Sequence, residues 1–99
     1  MPRPRRKRRI RFSPDATYFK PRGVPLRVLE EVSLAPDEMQ ALKLHDVDGL
    51  NQTKSAAKMN ISQPTFNRIL NRAYHKVAKA LVQGKAIRIE LPSIRARSE

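Results

Sequence analysis

Between Asn51 and Gly84 the chain has no Asp or Glu. Inside that run Gln63, Thr65, Asn67 and Arg68 bring two carboxamides, a hydroxyl and a guanidinium close together. Side-chain amides can pair bidentately with adenine and a guanidinium with guanine, so these four are candidate contacts to base edges. Gln52, Thr53, Lys54 and Arg72 flank them and are candidate contacts to phosphates, which position a protein on a duplex without reading it. Arg5, Arg6, Lys7 and Arg8, in the N-terminal run MPRPRRKRRIR, are candidate phosphate contacts as well. Other chemistry is poorly provided for. There is no Cys, and His45 and His75 fall on different expected helices with no His-x-x-His spacing, which argues against a metal site. Asp46 and Asp48 stand at an expected helix end and suit a turn better than an acid–base pair. Three glycines make no phosphate-binding loop. The expectation is a protein that is not an enzyme and has no cofactor.

The elements that must position these groups can be read from residues 52–70, QTKSAAKMNISQPTFNRIL. Ala56 and Met59 are three apart and share a helix face. Asn60 can enter the left-handed region and end that helix. Ile61 is an apolar plug, Ser62 an N-cap, and Pro64 sits in a first turn where it loses no intrahelical bond. Phe66, Ile69 and Leu70 then face inward while Gln63, Thr65, Asn67 and Arg68 are left outward. The pattern is a helix-turn-helix. An ordinary helical hairpin needs the same apolar spacing but does not require an acid-free outer face. Residues 52–56, QTKSA, resemble the first helix of phage Cro-type repressors.

The second helix should run about 20 residues to Gln83, with Ala73, Val77, Ala80 and Leu81 prolonging its stripe and Gly84 as its stop. Its other face carries Arg68, Asn71, Arg72, His75 and Lys79. Upstream, Leu26, Leu29 and Val32 are spaced for a short amphipathic turn. Pro36, Asp37 and Glu38 open a helix whose buried side is Met39, Ala41, Leu42, Leu44 and Val47. Ala35 is a poor cap for it, and Asn51 is a good cap for the next helix. After Gly84 the period changes to two, with Ile87, Ile89 and Leu91 on one face, which reads as a strand. Such a strand needs a partner, either residues 9–12 or a second chain. Residues 18–25, YFKPRGVP, read as a loop.

Ninety-nine residues make a single folding unit with a thin core. It divides into a basic arm and loop (1–25), a helix-turn-helix domain (26–84) and a short strand with a polar tail (85–99). The expected fold class is mainly α: a three-helix helix-turn-helix with a basic N-terminal arm and a short C-terminal β-strand. The net charge is +12 and uneven. Residues 1–29 hold ten basic groups and one acid, residues 30–50 one against six, and residues 51–99 ten against two. Basic ends around an acidic middle favour a polyanionic partner, and the missing apolar amphipathic stretch argues for nucleic acid over membrane. The arm, with its prolines and self-repulsion, could lie along phosphates or in a minor groove, or could be a solvated tail or a nuclear-localisation signal. No apolar run has transmembrane length and no signal-peptide core is present, so a soluble, cytoplasmic and nucleoid-associated protein is expected.

Taken together, Arg3–Pro4–Arg5, FKPRG at 19–23, DEMQAL at 37–42, AAKM at 56–59, the segment 62–66, RIL at 68–70 and GKAIRIE at 84–90 resemble a prokaryotic family, the domain-of-unknown-function family numbered 134, also called uncharacterised protein family 0251. FKPRG and GKAIRIE carry most of the specificity. The resemblance implies a helix-turn-helix similar to the promoter −35-reading domain of bacterial sigma factors, and a DNA-binding role. It also implies that some members carry an added domain resembling nitrogenase-cofactor-binding proteins, for which this chain is too short. The chain departs from the family pattern at Gln63 and Pro64 (usually Arg-Gln), Asn60 (a turn glycine), Asn67 (a small residue), and Lys54 and Ser55 (acids).

Three functions fit. The first is sequence-specific binding of double-stranded DNA by a transcriptional regulator. The second is a protein-interaction module in which an acidic helix over residues 30–48 and the lone strand dock on transcription machinery, RNA polymerase included. The third is an RNA or nucleoid binder indifferent to sequence. A homodimer, with the strand over residues 85–91 near its interface, would pair two half-sites on DNA.

Overall fold

The computed structural model describes Pro14 and residues 16–91. The expected strand over residues 9–12, the basic arm with Arg5, Arg6, Lys7 and Arg8, and the polar tail lie outside the described residues.

The chain enters on a two-residue strand β1 (Tyr18–Phe19) and a single 3-10 turn (Leu26–Val28). Strand β2 (Glu31–Leu34) leads into helix α1 (Pro36–Leu42), which continues as a π-helical turn over Lys43–Val47. Helices α2 (Gln52–Met59) and α3 (Gln63–Gln83) follow, and strand β3 (Ala86–Ile89) closes the fold. The strands form one mixed sheet in the order β1-β3-β2. Strand β3 runs antiparallel to β1, pairing Tyr18 with Arg88, and parallel to β2, pairing Val32 with Ile87 and Leu34 with Ile89. Parallel pairing needs a long crossover, and here the whole helical unit α1–α3 supplies it.

Two apolar clusters meet at Leu42. In the first, Ala41 of α1, Ala56 of α2 and Phe66, Ile69 and Leu70 of α3 pack together with Met59 and Ile61 at their edge. The second lies under the sheet, where Leu34 and Ile89 close on Ala73, with Met39, Val77 and Ile87 beside them. Strand β3 thus feeds the core through Ile87 and Ile89, as its period of two predicts, but it ends at Ile89 and leaves Leu91, the third residue of that pattern, exposed.

The first turn of α1 carries a buried carboxylate. Glu38 is 1% exposed and receives Lys76 Nζ at 2.8 Å and Arg72 Nε at 3.2 Å. Its other role is local: Oε1 accepts the Ala35 amide at 2.8 Å, the returning half of a capping box whose first half an alanine cannot make. Lys76 also donates to the Ser33 carbonyl at 2.7 Å, so the same pair ties α3 to β2 and covers part of the outer edge of that strand. Burial pushes the Glu38 pKa up, but hydrogen bonds from Lys76, the Ala35 amide and Arg72 outweigh it and hold the carboxyl below the usual 4.5.

Several expectations are corrected. Residues 30–48 are not one acidic helix; β2 occupies their first part because Leu29 is already extended after the 3-10 turn. Leu26 and Val28 are accordingly exposed, and the stripe expected through Val32 does not form. Residues 18–25 are not wholly loop, since Tyr18 and Phe19 pair with β3. Strand β3 is not alone and needs neither residues 9–12 nor a second chain, for both its edges are occupied. Val47 is 79% exposed because the wider π turn, closed by the Asp48 amide on the Lys43 carbonyl at 2.8 Å, rotates it off the α-helical stripe. Leu81 is 75% exposed: it lies about 100° round the helix from buried Ala80, on a flank that neither α1 nor the sheet covers.

Candidate nucleic-acid interface

Helices α2 and α3 are bounded by local capping devices and cross over small residues. Asn51 Oδ1 accepts the Lys54 amide at 2.8 Å and starts α2. Asn60, at φ 60° and ψ 43°, ends it in the left-handed region. The amides of Asn60 and Ile61 fold back on the carbonyls of Ala57 and Ala56, which delivers Ile61 to the first cluster. Ser62 Oγ then accepts the Thr65 amide at 3.2 Å and starts α3. Gly84, at φ 69°, stops α3 and turns the chain into β3. Ala56 and Ser55, both buried, let the helices cross closely, and Ser55 Oγ finds the Leu50 carbonyl at 3.4 Å.

Three of the four candidate base readers fall into two hydrogen-bonded sets. In one, Ser62 Oγ and Thr65 Oγ1 are 2.9 Å apart and Arg68 Nη2 donates to Thr65 Oγ1 at 3.3 Å, so three residues at spacing i, i+3, i+6 hold the guanidinium along the helix. In the other, Gln63 links α3 to α2. Thr53 Oγ1 donates to Gln63 Oε1 at 3.2 Å, and Gln63 Nε2 donates to Gln52 Oε1 at 3.4 Å. Gln63 and Arg68 are exposed and Thr65 is half-buried. Asn67 differs from its expected outward position: it is half-buried, with Oδ1 shut from solvent and lacking a hydrogen-bond partner. One residue after buried Phe66, it lies about 100° round the helix, on the rim between core and surface.

The candidate phosphate contacts separate as well. Lys54 and Thr53 are exposed and Gln52 is half-buried. Arg72 lies over α1, with Nε on Glu38 and Nη2 at 3.7 Å from Asp37, although the side chain remains 57% exposed.

Charge is sorted by the fold. Every acid of residues 30–50 has an intramolecular partner: Glu30 with Lys85, Glu31 with Arg88 and the Tyr18 hydroxyl, Asp37 and Glu38 with Arg72, Glu38 also with Lys76, Asp48 with Lys43, and Asp46 with the Tyr74 hydroxyl. Burial first, then the Asp46 carboxylate, pushes the Tyr74 phenol up to about 12. Among the described residues, none of Lys54, Lys58 and Arg68 is in ion-pair contact with a carboxylate. Lys58 was not singled out from the sequence; its position four residues after Lys54 on α2 is the signal that would have found it. His45 contributes to packing: Nδ1 lies 2.8 Å from the Leu50 carbonyl and the ring meets Phe66 edge-on at 6.3 Å. His75 is exposed. Among the described residues no group of three metal-ligating side chains occurs, and no helix is long and apolar enough to cross a membrane.

A helix-turn-helix carried on a three-helix unit, backed by a small mixed sheet, is the class of protein that these elements define. The chain belongs to the family described as "Protein of unknown function DUF134", whose model matches residues 1–95. It is 60% identical over 90 residues to a UPF0251 protein of Moorella thermoacetica, covering 91% of this chain and 60% of the relative. A UPF0251 protein of Desulforudis audaxviator is 57% identical over 90 residues, with 91% and 59% covered. One from Thermoanaerobacter pseudethanolicus is 50% identical over 99 residues, with 100% and 84% covered. The chain therefore spans about 60% of the length of the first two relatives. No solved structure matches.

Proposed function

We propose that this chain binds double-stranded DNA in a sequence-dependent way and acts as a transcriptional regulator, with the first turns of α3 in the major groove. One observation carries this reading. The fold pairs five of the six acids of residues 30–50 with its own cations and the sixth, Asp46, with the Tyr74 hydroxyl, and leaves Lys54, Lys58 and Arg68 of α2 and α3 without an ion pair among the described residues. Arg68 and Gln63 supply hydrogen bonds to base edges, Lys54 faces the backbone, and the arm with Arg5, Arg6, Lys7 and Arg8 adds phosphate contacts. Arg72 contributes less, because Glu38 and Asp37 already hold it. The likeness to the sigma-factor −35-reading domain belongs to this proposal and adds contact with RNA polymerase as a corollary.

The interaction-module reading loses its footing, since the acids it needed are engaged within the chain and β3 offers no free edge. For the same reason a second copy on DNA would have to meet the first elsewhere than along β3. The RNA or nucleoid reading retains the +12 charge and is the one to exclude. Binding to random DNA, random RNA and a duplex selected from a random library, each titrated with salt, separates them. DNA-sequence recognition requires the selected duplex to win at every salt concentration. Equal affinity for all three, falling together with salt, would leave only electrostatics. Deleting residues 2–9 removes six basic groups and should lower the salt slope by about 0.9 for each phosphate that the arm neutralises.

A further inference from the structure

Gln52 and Thr53 are natural phosphate contacts by position, at the start of a helix that lies beside the recognition helix. Their side chains, however, are turned toward Gln63. Thr53 Oγ1 sits 3.2 Å from Gln63 Oε1, and Gln52 Oε1 sits 3.4 Å from Gln63 Nε2. We infer that Gln52 and Thr53 are specificity-determining positioning residues: they hold the plane and the place of the Gln63 carboxamide so that it reads adenine. This rests on the DNA-binding reading and adds to it two residues that touch no base.

The chemistry is that of a carboxamide at a base edge. An unrestrained glutamine turns about its terminal torsion at little cost, and only an amide whose plane lies along the base edge can pair through both of its polar atoms. Adenine offers N7 as acceptor and N6–H as donor in the major groove, so the amide must present its nitrogen to one and its oxygen to the other. Held by one hydrogen bond at each end, Gln63 is oriented before DNA arrives. A carboxamide oxygen accepts twice and its nitrogen donates twice, so one acceptor and one donor remain for the base after Thr53 and Gln52 have taken theirs. The two holding residues come from α2 and the held one from α3. The orientation therefore depends on the helix crossing that Ala56, Asn60 and Ile61 set.

The test uses the full chain and a duplex selected from a random library, with every base pair of the site then permuted in turn. Gln63→Ala should flatten preference at one A·T pair. Gln52→Ala and Thr53→Val should flatten preference at that same pair by about three- to tenfold, the worth of one neutral hydrogen bond, and leave the other pairs and the salt slope as they were. Thr53→Ser, which keeps the hydroxyl, should restore discrimination. Combining Gln52→Ala with Gln63→Ala should add almost nothing to Gln63→Ala alone. Uniform weakening on all sequences with a smaller salt slope would make the two residues phosphate contacts and overturn the inference, as would unchanged discrimination in both variants. Failure of the wild-type chain to enrich any duplex is a different result. It would overturn the DNA reading itself, and this inference with it.

Discussion

Glu38→Ala should be among the most destabilising single substitutions in the described part of the chain. The three bonds that it removes are of unequal worth. Lys76 is one-third exposed and bonds a carboxylate that is 1% exposed, so their charge-assisted bond is worth about 1.5–3 kcal/mol. Arg72, more than half exposed, recovers solvation when released, and its share is at most about 0.5 kcal/mol. The Ala35 amide is deprived of the acceptor that completes the α1 N-terminus, roughly 1 kcal/mol. Since these bonds are coupled and not additive, the expected total is about 3 kcal/mol, the lower end of what removing one partner of a buried ion pair costs. For a domain of this size that is a drop of about 12–24 °C in Tm. Urea unfolding at pH 7 followed by circular dichroism measures it directly. The pH dependence gives a second check. A carboxyl whose folded pKa lies below its unfolded 4.5 contributes stability above that pH and loses it as pH falls through the folded value. The wild type should weaken on that acid limb and Glu38→Gln should show a flatter one. A Glu38→Ala effect under about 0.5 kcal/mol, with an unchanged acid limb, would refute the idea that this carboxylate ties α1, α3 and β2 together.

Three other outcomes are expected. Arg68→Ala should weaken binding to a selected duplex by about 1–3 kcal/mol and relax preference at one base pair; an equal weakening on every sequence, measured by fluorescence anisotropy, would reduce Arg68 to a phosphate contact. Asn60→Ala should cost about 1–2 kcal/mol in urea unfolding because alanine meets the full steric penalty at φ 60°, whereas Asn60→Gly should be neutral or better. In an ultraviolet titration Tyr74 should ionise near 12, and because its folded pKa lies above the unfolded 10.0, its contribution should be complete below pH 10 and disappear as pH rises toward 12; Tyr74→Phe should remove that alkaline limb.

What the sequence determined by itself is whatever depends on residues a few positions apart. Asn51, Asn60, Ser62 and Gly84 act on backbone groups within their own turn, so the ends of α2 and α3 follow from residue type alone. The stripe Phe66, Ile69, Leu70, Ala73 and Ala80 is a property of one helix, and Ile87 and Ile89 of one strand. Tertiary structure decided what joins distant segments. That β3 takes β1 and β2 as neighbours was not legible, because a two-residue strand carries no period and EVSL follows a 3-10 turn whose leucine and valine look helical. The fate of charge was equally hidden. Glu38 lies 34 residues from Arg72 and 38 from Lys76, and only the docking of α1 on α3 turns an N-terminal helix acid into a buried anchor and a candidate phosphate contact into its partner. Val47 shows the same limit in miniature, since one wide turn moves a residue from core to solvent without altering the pattern of the sequence. At the candidate interface the types of side chain were readable, but their orientation was not: the hold of Gln52 and Thr53 on Gln63 exists only once two helices cross, and a crossing is set by the core beneath it.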